Sequence, residues 1–162
     1  MSAMEQLKAL IRDLTGRKHV PKDPPPAPYR QTRDVIETPD GDVEALLHEL
    51  CHWLVASPEE RDLVNLGMRE DDPTPHSRLR EEQAWRLECK LLEPFATEAE
   101  IHARLTPESR SSHPVFQGGW QHDGRLALQH GLRSLSVIDA PTWTRLRQIL
   151  GLWDREQRET RH

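Results

Sequence analysis

The chain has 162 residues, 30% of them charged and 35% hydrophobic, with 22 basic against 27 acidic side chains and a net charge of −5. That length fits one domain with a modest core, and an acidic balance without any lysine-arginine run argues against a general nucleic-acid binder. No apolar stretch approaches the ~20 residues of a membrane span, and residues 1–14 lack a signal-peptide core, so a cytoplasmic protein without membrane contact is expected.

In chain order, Met4, Leu7, Leu10, Ile11 and Leu14 fall at helical spacing and predict a short amphipathic helix that stops at Gly16. Pro21, Pro24, Pro25, Pro26 and Pro28 then impose an extended, semi-rigid linker. Residues 1–30 are therefore read as a helix with a Pro-rich arm, able either to dock on the body or to reach a partner. Residues 31–162 are read as a helical domain, the one that carries the motif. The segment 33–38, centred on Val35 and Ile36, is the only plausible strand near the motif described below. Asp40-Gly41-Asp42 turns the chain and supplies an aspartate cap for a helix over 43–56. Ser57-Pro58-Glu59-Glu60 has the form of a capping box opening a helix through Leu63, Val64 and Leu66, which Gly67 stops.

Residues 69–76 read as a loop, and a helix is expected over 77–92, bounded by Pro94. Thr97-Glu98-Ala99-Glu100 opens a short helix to Leu105, and 106–124 is rich in glycine, proline and serine and reads as a loop. Helices are expected over 124–135 and from near Pro141 onward, the last with Trp143, Leu146, Leu150 and Trp153 on one stripe. The fold class expected is mostly α, a single small domain with at most a minimal sheet. Two cysteines, Cys51 and Cys89, are too few for a disulfide scaffold, and Cys51 reads as a compact core residue.

Within the helix over 43–56 stands His48-Glu49-Leu50-Cys51-His52, an H-E-x-x-H pentad. Two imidazoles at i and i+4 sit one above the other on a helix face, so both can ligate one divalent metal, with Glu49 beside them as a base for a water molecule. No charged residue occupies 46, 47, 50, 51, 53 or 54, which predicts a helix buried on its other sides and able to hold its ligands rigidly. The alternative is that His48 and His52 are ordinary satisfied histidines and the pentad is accidental. Two histidines bind weakly alone, and the helix over 77–92 is the natural source of a third ligand. Glu81 and Glu88 lie two turns apart on one face. Glu88, flanked by Leu87, Leu91 and Leu92, is the expected ligand and Glu81 the alternative; either could instead pair with Arg78, Arg80 or Arg86. Nothing in the spacing of His113, His122 or His130 demands a role at the metal.

The run His48-Glu49-Leu50-Cys51-His52-Trp53, followed by Ala56, Arg61, Leu63-Val64, Gly67 and then Glu88-Cys89-Lys90, resembles the elongation factor P hydroxylases. The resemblance covers roughly residues 45–92, about a third of the chain. It implies His48, His52 and Glu88 as the ligands of a non-haem metal, hydroxylation of a protein side chain, and a protein substrate. Met68-Arg69 stands where that family carries an aromatic pair. Glu81-Glu82-Gln83-Ala84, with Leu91-Leu92-Glu93-Pro94, is similar instead to the E-x-x-A…L-L-x-P segment of small zincin-like peptidases, which implies Glu81 as the third ligand. Three functions follow: an Fe(II)-dependent hydroxylase, a Zn(II)-dependent metallopeptidase, and a non-catalytic helical interaction protein.

Overall fold

The computed structural model describes residues 1–22, 30–62, 83–84, 87–88, 90–95 and 138–160. The expected elements over 63–76, 97–105, 106–124 and 124–135 lie outside them, as do Glu81, His113, His122 and His130.

Helix α1 (Ala3–Thr15) starts at a full capping box: Ser2 Oγ accepts the Glu5 N–H, and the Glu5 carboxylate accepts the Ser2 N–H. It ends at Gly16, whose φ of 73° is the left-handed conformation that glycine adopts without steric cost. Its buried stripe is Ala3, Met4, Leu7, Leu10 and Ile11. This stripe packs on α2 (Val43–Val55) and on the C-terminal helix α3 (Ala140–Thr160). Two polar ties reinforce the α3 contact: Glu156 Oε1 accepts the Ala3 N–H at 2.7 Å, and Arg145 pairs with Asp13 at 3.1 Å. The amphipathic N-terminal helix is thus docked in the core.

The sheet has three strands, β1 (Lys18–Pro21), β2 (Arg30–Gln31) and β3 (Val35–Thr38), in the order β1-β3-β2. β1 runs parallel to β3, with His19 opposite Ile36, and β2 runs antiparallel to it, with Gln31 opposite Ile36. Only β3 was legible in the sequence, where Ile36 and Thr38 alternate with more exposed neighbours. β1 is mostly exposed and carries Pro21 at its end, which an edge strand tolerates. β1 and β2 owe their existence to backbone pairing with β3, which leaves no side-chain pattern to read.

After β3, Gly41 takes a φ of 79° in the turn, and Asp42 caps α2 by accepting the Ala45 N–H at 3.0 Å. Helix α2 is buried on nearly every side, with Leu46, Leu47, Leu50 and Cys51 fully enclosed. Truncating any of these leucines to alanine would cost roughly 2–5 kcal/mol. Residues 83, 84, 87, 88 and 90–92 are helical, matching the later part of the helix expected over 77–92. Ala84, Leu87, Leu91 and Leu92 join the same core, and the chain turns at 93–95, where Phe95 N–H donates to Leu92 O. Helix α3 is capped by Asp139, whose carboxyl is held below the usual range by the Thr142 hydroxyl and N–H. It buries Leu146, Ile149, Leu150 and Trp153, with Trp143 partly covered. The architecture is mostly α, with the small sheet on one side of α2. Among the described residues, no helix is long and apolar enough to cross a membrane.

Candidate metal-binding site on helix α2

The i,i+4 spacing on α2 brings the two imidazoles of the pentad into contact. His48 Nε2 and His52 Nε2 lie 3.1 Å apart, with ring centroids 4.7 Å apart and ring planes nearly perpendicular. Both residues are largely enclosed, His52 being buried outright. The core supplies the enclosure, because Leu47 and Cys51 on one side and Leu50 and Leu54 on the other are buried, while Glu44, His48 and Trp53 stay half-buried.

Glu88 approaches from the facing helical segment, and its Oε2 lies 2.9 Å from His48 Nδ1. The side chain of Glu88 is 3% exposed, which makes this contact a buried carboxylate–imidazole pair and sets it apart from a surface ion pair. An ionised carboxylate only accepts hydrogen bonds, so His48 Nδ1 carries the donated proton. In the neutral ring that leaves a lone pair on Nε2, which then accepts from the Nε2–H of His52.

This geometry differs from the ligand role expected of Glu88. Its carboxylate engages the ring nitrogen on the far side of His48 from His52. Among the described residues, no group of three His, Cys, Asp or Glu side chains is arranged to hold a metal ion together. A carboxylate on Nδ1 fixes the orientation of the His48 ring. Glu81, the alternative third ligand, is outside the described residues.

Glu49 is 7% exposed and turns toward the sheet. There the Gln31 side chain, 1% exposed on β2, donates from Nε2 to Glu49 O at 2.7 Å and toward Glu49 Oε2 at 3.3 Å. Gln31 carried no signal in the sequence. A single polar residue in a two-residue strand has no periodicity, and the contact spans 18 positions of chain.

The end of α2 is held by a different cluster. The Arg61 guanidinium stacks over the Trp53 ring, 3.7 Å from its centroid, while Arg61 Nε donates to Trp53 O at 2.9 Å. This satisfies a carbonyl in the last turn of the helix that has no partner within it. Arg17, 2% exposed, donates from Nε to Thr32 O and from a terminal nitrogen to Arg61 O, tying the sheet to the turn after α2. Burial pulls both guanidinium pKa values down from their ordinary level. The Ser57–Glu60 pairing expected from the sequence is present, with Ser57 Oγ accepting the Glu60 N–H. The described chain then forms one short 3₁₀ turn, Glu60–Asp62.

Comparison with protein-family models, with curated proteins and with solved structures returns no match for this chain.

Proposed function

We propose that this protein is a metal-dependent enzyme acting on a protein or peptide, in which His48 and His52 hold one divalent cation. The observation carrying this reading is the 3.1 Å separation of the two Nε2 atoms. Two imidazole nitrogens at 2.0–2.1 Å from one tetrahedral zinc would lie about 3.3 Å apart, so the spacing fits a shared ion once His52 gives up its Nε2 proton on binding. The Glu88–Nδ1 contact adds to the fit, since a carboxylate there fixes the tautomer that leaves the Nε2 lone pair facing the ion.

With Glu88 occupied on the far nitrogen, the similarity that makes Glu81 the third ligand gains support over the one that makes it Glu88. That favours the hydrolytic chemistry of zincin-like peptidases. The bound cation would supply Lewis-acid polarisation of a substrate carbonyl and make a water more acidic. Glu49 would take the proton of the attacking water on its carboxylate and return it to the leaving amine nitrogen. Glu88 would keep the Nδ1 proton of His48 in place throughout. The burial of α2 would keep bulk water from competing.

The hydroxylase reading uses the same two histidines with Fe(II). Trp53 and Arg61, two of the residues that carry its resemblance beyond the pentad, form the cap of α2. Their shared presence is explained by packing and speaks for a related fold more than for oxygen chemistry.

Elemental analysis of protein purified without added metal tests these readings. Zinc, together with cleavage in a peptide library that Glu49→Gln abolishes, supports the peptidase. Iron, with oxygen consumption linked to a protein substrate, supports the hydroxylase in its place. Metal content unaffected by His48→Ala sinks both and leaves a helical interaction protein.

A further inference from the structure

Gln31 is a buried polar residue whose two ends differ. Its amide nitrogen serves Glu49 twice, through the backbone oxygen and the carboxylate, while its Oε1 is buried with no hydrogen-bond partner among the described residues. Reversing the amide does not cure this, because Oε1 would then face two acceptors on Glu49. An unpaired buried acceptor is destabilising, so Oε1 does not account for the residue. The residue is therefore explained by what its donor end holds.

We propose that Gln31 is a positioning residue of the Glu49 carboxylate, helping to fix its rotamer from strand β2 while the two histidines are fixed from within the helix and by Glu88. This rests on the proposed role of Glu49 as proton carrier. The amide straddles a backbone oxygen that cannot move and a carboxylate oxygen that can, so it references one to the other. A proton carrier works from a fixed position, and a tether of this kind limits where the carboxylate can swing before substrate arrives.

The test compares full-length wild type with Gln31→Met, and uses Glu49→Gln to assign the Glu49 side-chain carboxyl carbon by 13C NMR, all in metal-free protein. The expected result is a Glu49 resonance displaced beyond its line width in Gln31→Met, with a melting temperature lowered by the loss of one donor to Glu49. A Glu49 resonance that stays in place overturns the proposal whatever the melting temperature. Gln31→Leu repeats the comparison if the Met variant fails to fold. Because every reading is taken without metal, failure of the wild-type protein to bind zinc or iron would overturn the functional reading while leaving the Gln31–Glu49 result to stand or fall separately.

Discussion

Helix α2 carries two buried polar clusters, and they differ in what satisfies them. At its C-terminal end Arg17 and Arg61 donate to backbone oxygens of Thr32, Arg61 and Trp53, groups that the fold itself leaves unpaired. In its middle, His48, His52 and Glu88 meet one another through their side chains. Backbone partners cannot leave, so the first cluster is cement. Side-chain partners can exchange a proton for a cation, so the second can host chemistry. Both clusters are at least partly buried; the identity of the acceptors separates them.

The sharpest way to break that contrast is to remove an imidazole. His48→Ala or His52→Ala should bring the metal content of the purified protein down to background, read by elemental analysis. Next in size, Arg17→Met strips donors from Thr32 O and Arg61 O and should cost about 2–4 kcal/mol in urea unfolding. Its metal affinity, measured on the still-folded fraction, should stay at the wild-type level. If Arg17→Met instead abolishes metal binding at unchanged stability, the division between cement and chemistry is lost.

Glu88→Gln should weaken metal binding about 10–100-fold, worth roughly 1.4–2.7 kcal/mol, because it removes the orienting charge and keeps the ligands. Competition with a chelator of known affinity measures this. Glu81→Ala should do more than Glu88→Gln if Glu81 ligates, and the reverse order would restore Glu88 to the coordination sphere.

The smallest effect belongs to His19 on β1. Its Nε2 lies 3.0 Å from Thr38 Oγ1, and its buried Nδ1 has no partner. Burial first, then the nearby positive charge of Lys8, lowers its pKa below the ordinary imidazole value of about 6.5, against the opposing pull of the Thr38 carbonyl and Asp40. Between the folded value and about 6.5 the unfolded chain binds the extra proton, so stability rises with pH across that window and is lost as pH falls through it. His19→Gln should therefore show a smaller drop in urea midpoint between pH 7 and pH 5 than wild type. An equal drop would mean His19 titrates alike in both states.

Much of this molecule was legible as pattern. The stripe Met4, Leu7, Leu10 and Ile11 predicts α1, and Gly16 its end; Asp42 predicts the start of α2; Leu146 and Leu150 predict the buried face of α3. Each is a local rule, set by the 3.6-residue period or by a cap one to three positions away. The pentad was legible for the same reason, since four residues make one helical turn and the turn alone stacks His48 on His52.

What the sequence determined by itself was the helices and the pairing of two imidazoles, because both depend on neighbours within a single turn. Tertiary structure alone decided which nitrogen Glu88 engages across 40 positions of chain, that Gln31 holds Glu49, and that Arg17 bridges the sheet to the end of α2. A helix period says which face a carboxylate occupies. Only packing of one element on another says which side of an imidazole that face meets, and that choice separates a ligand from a residue that orients one.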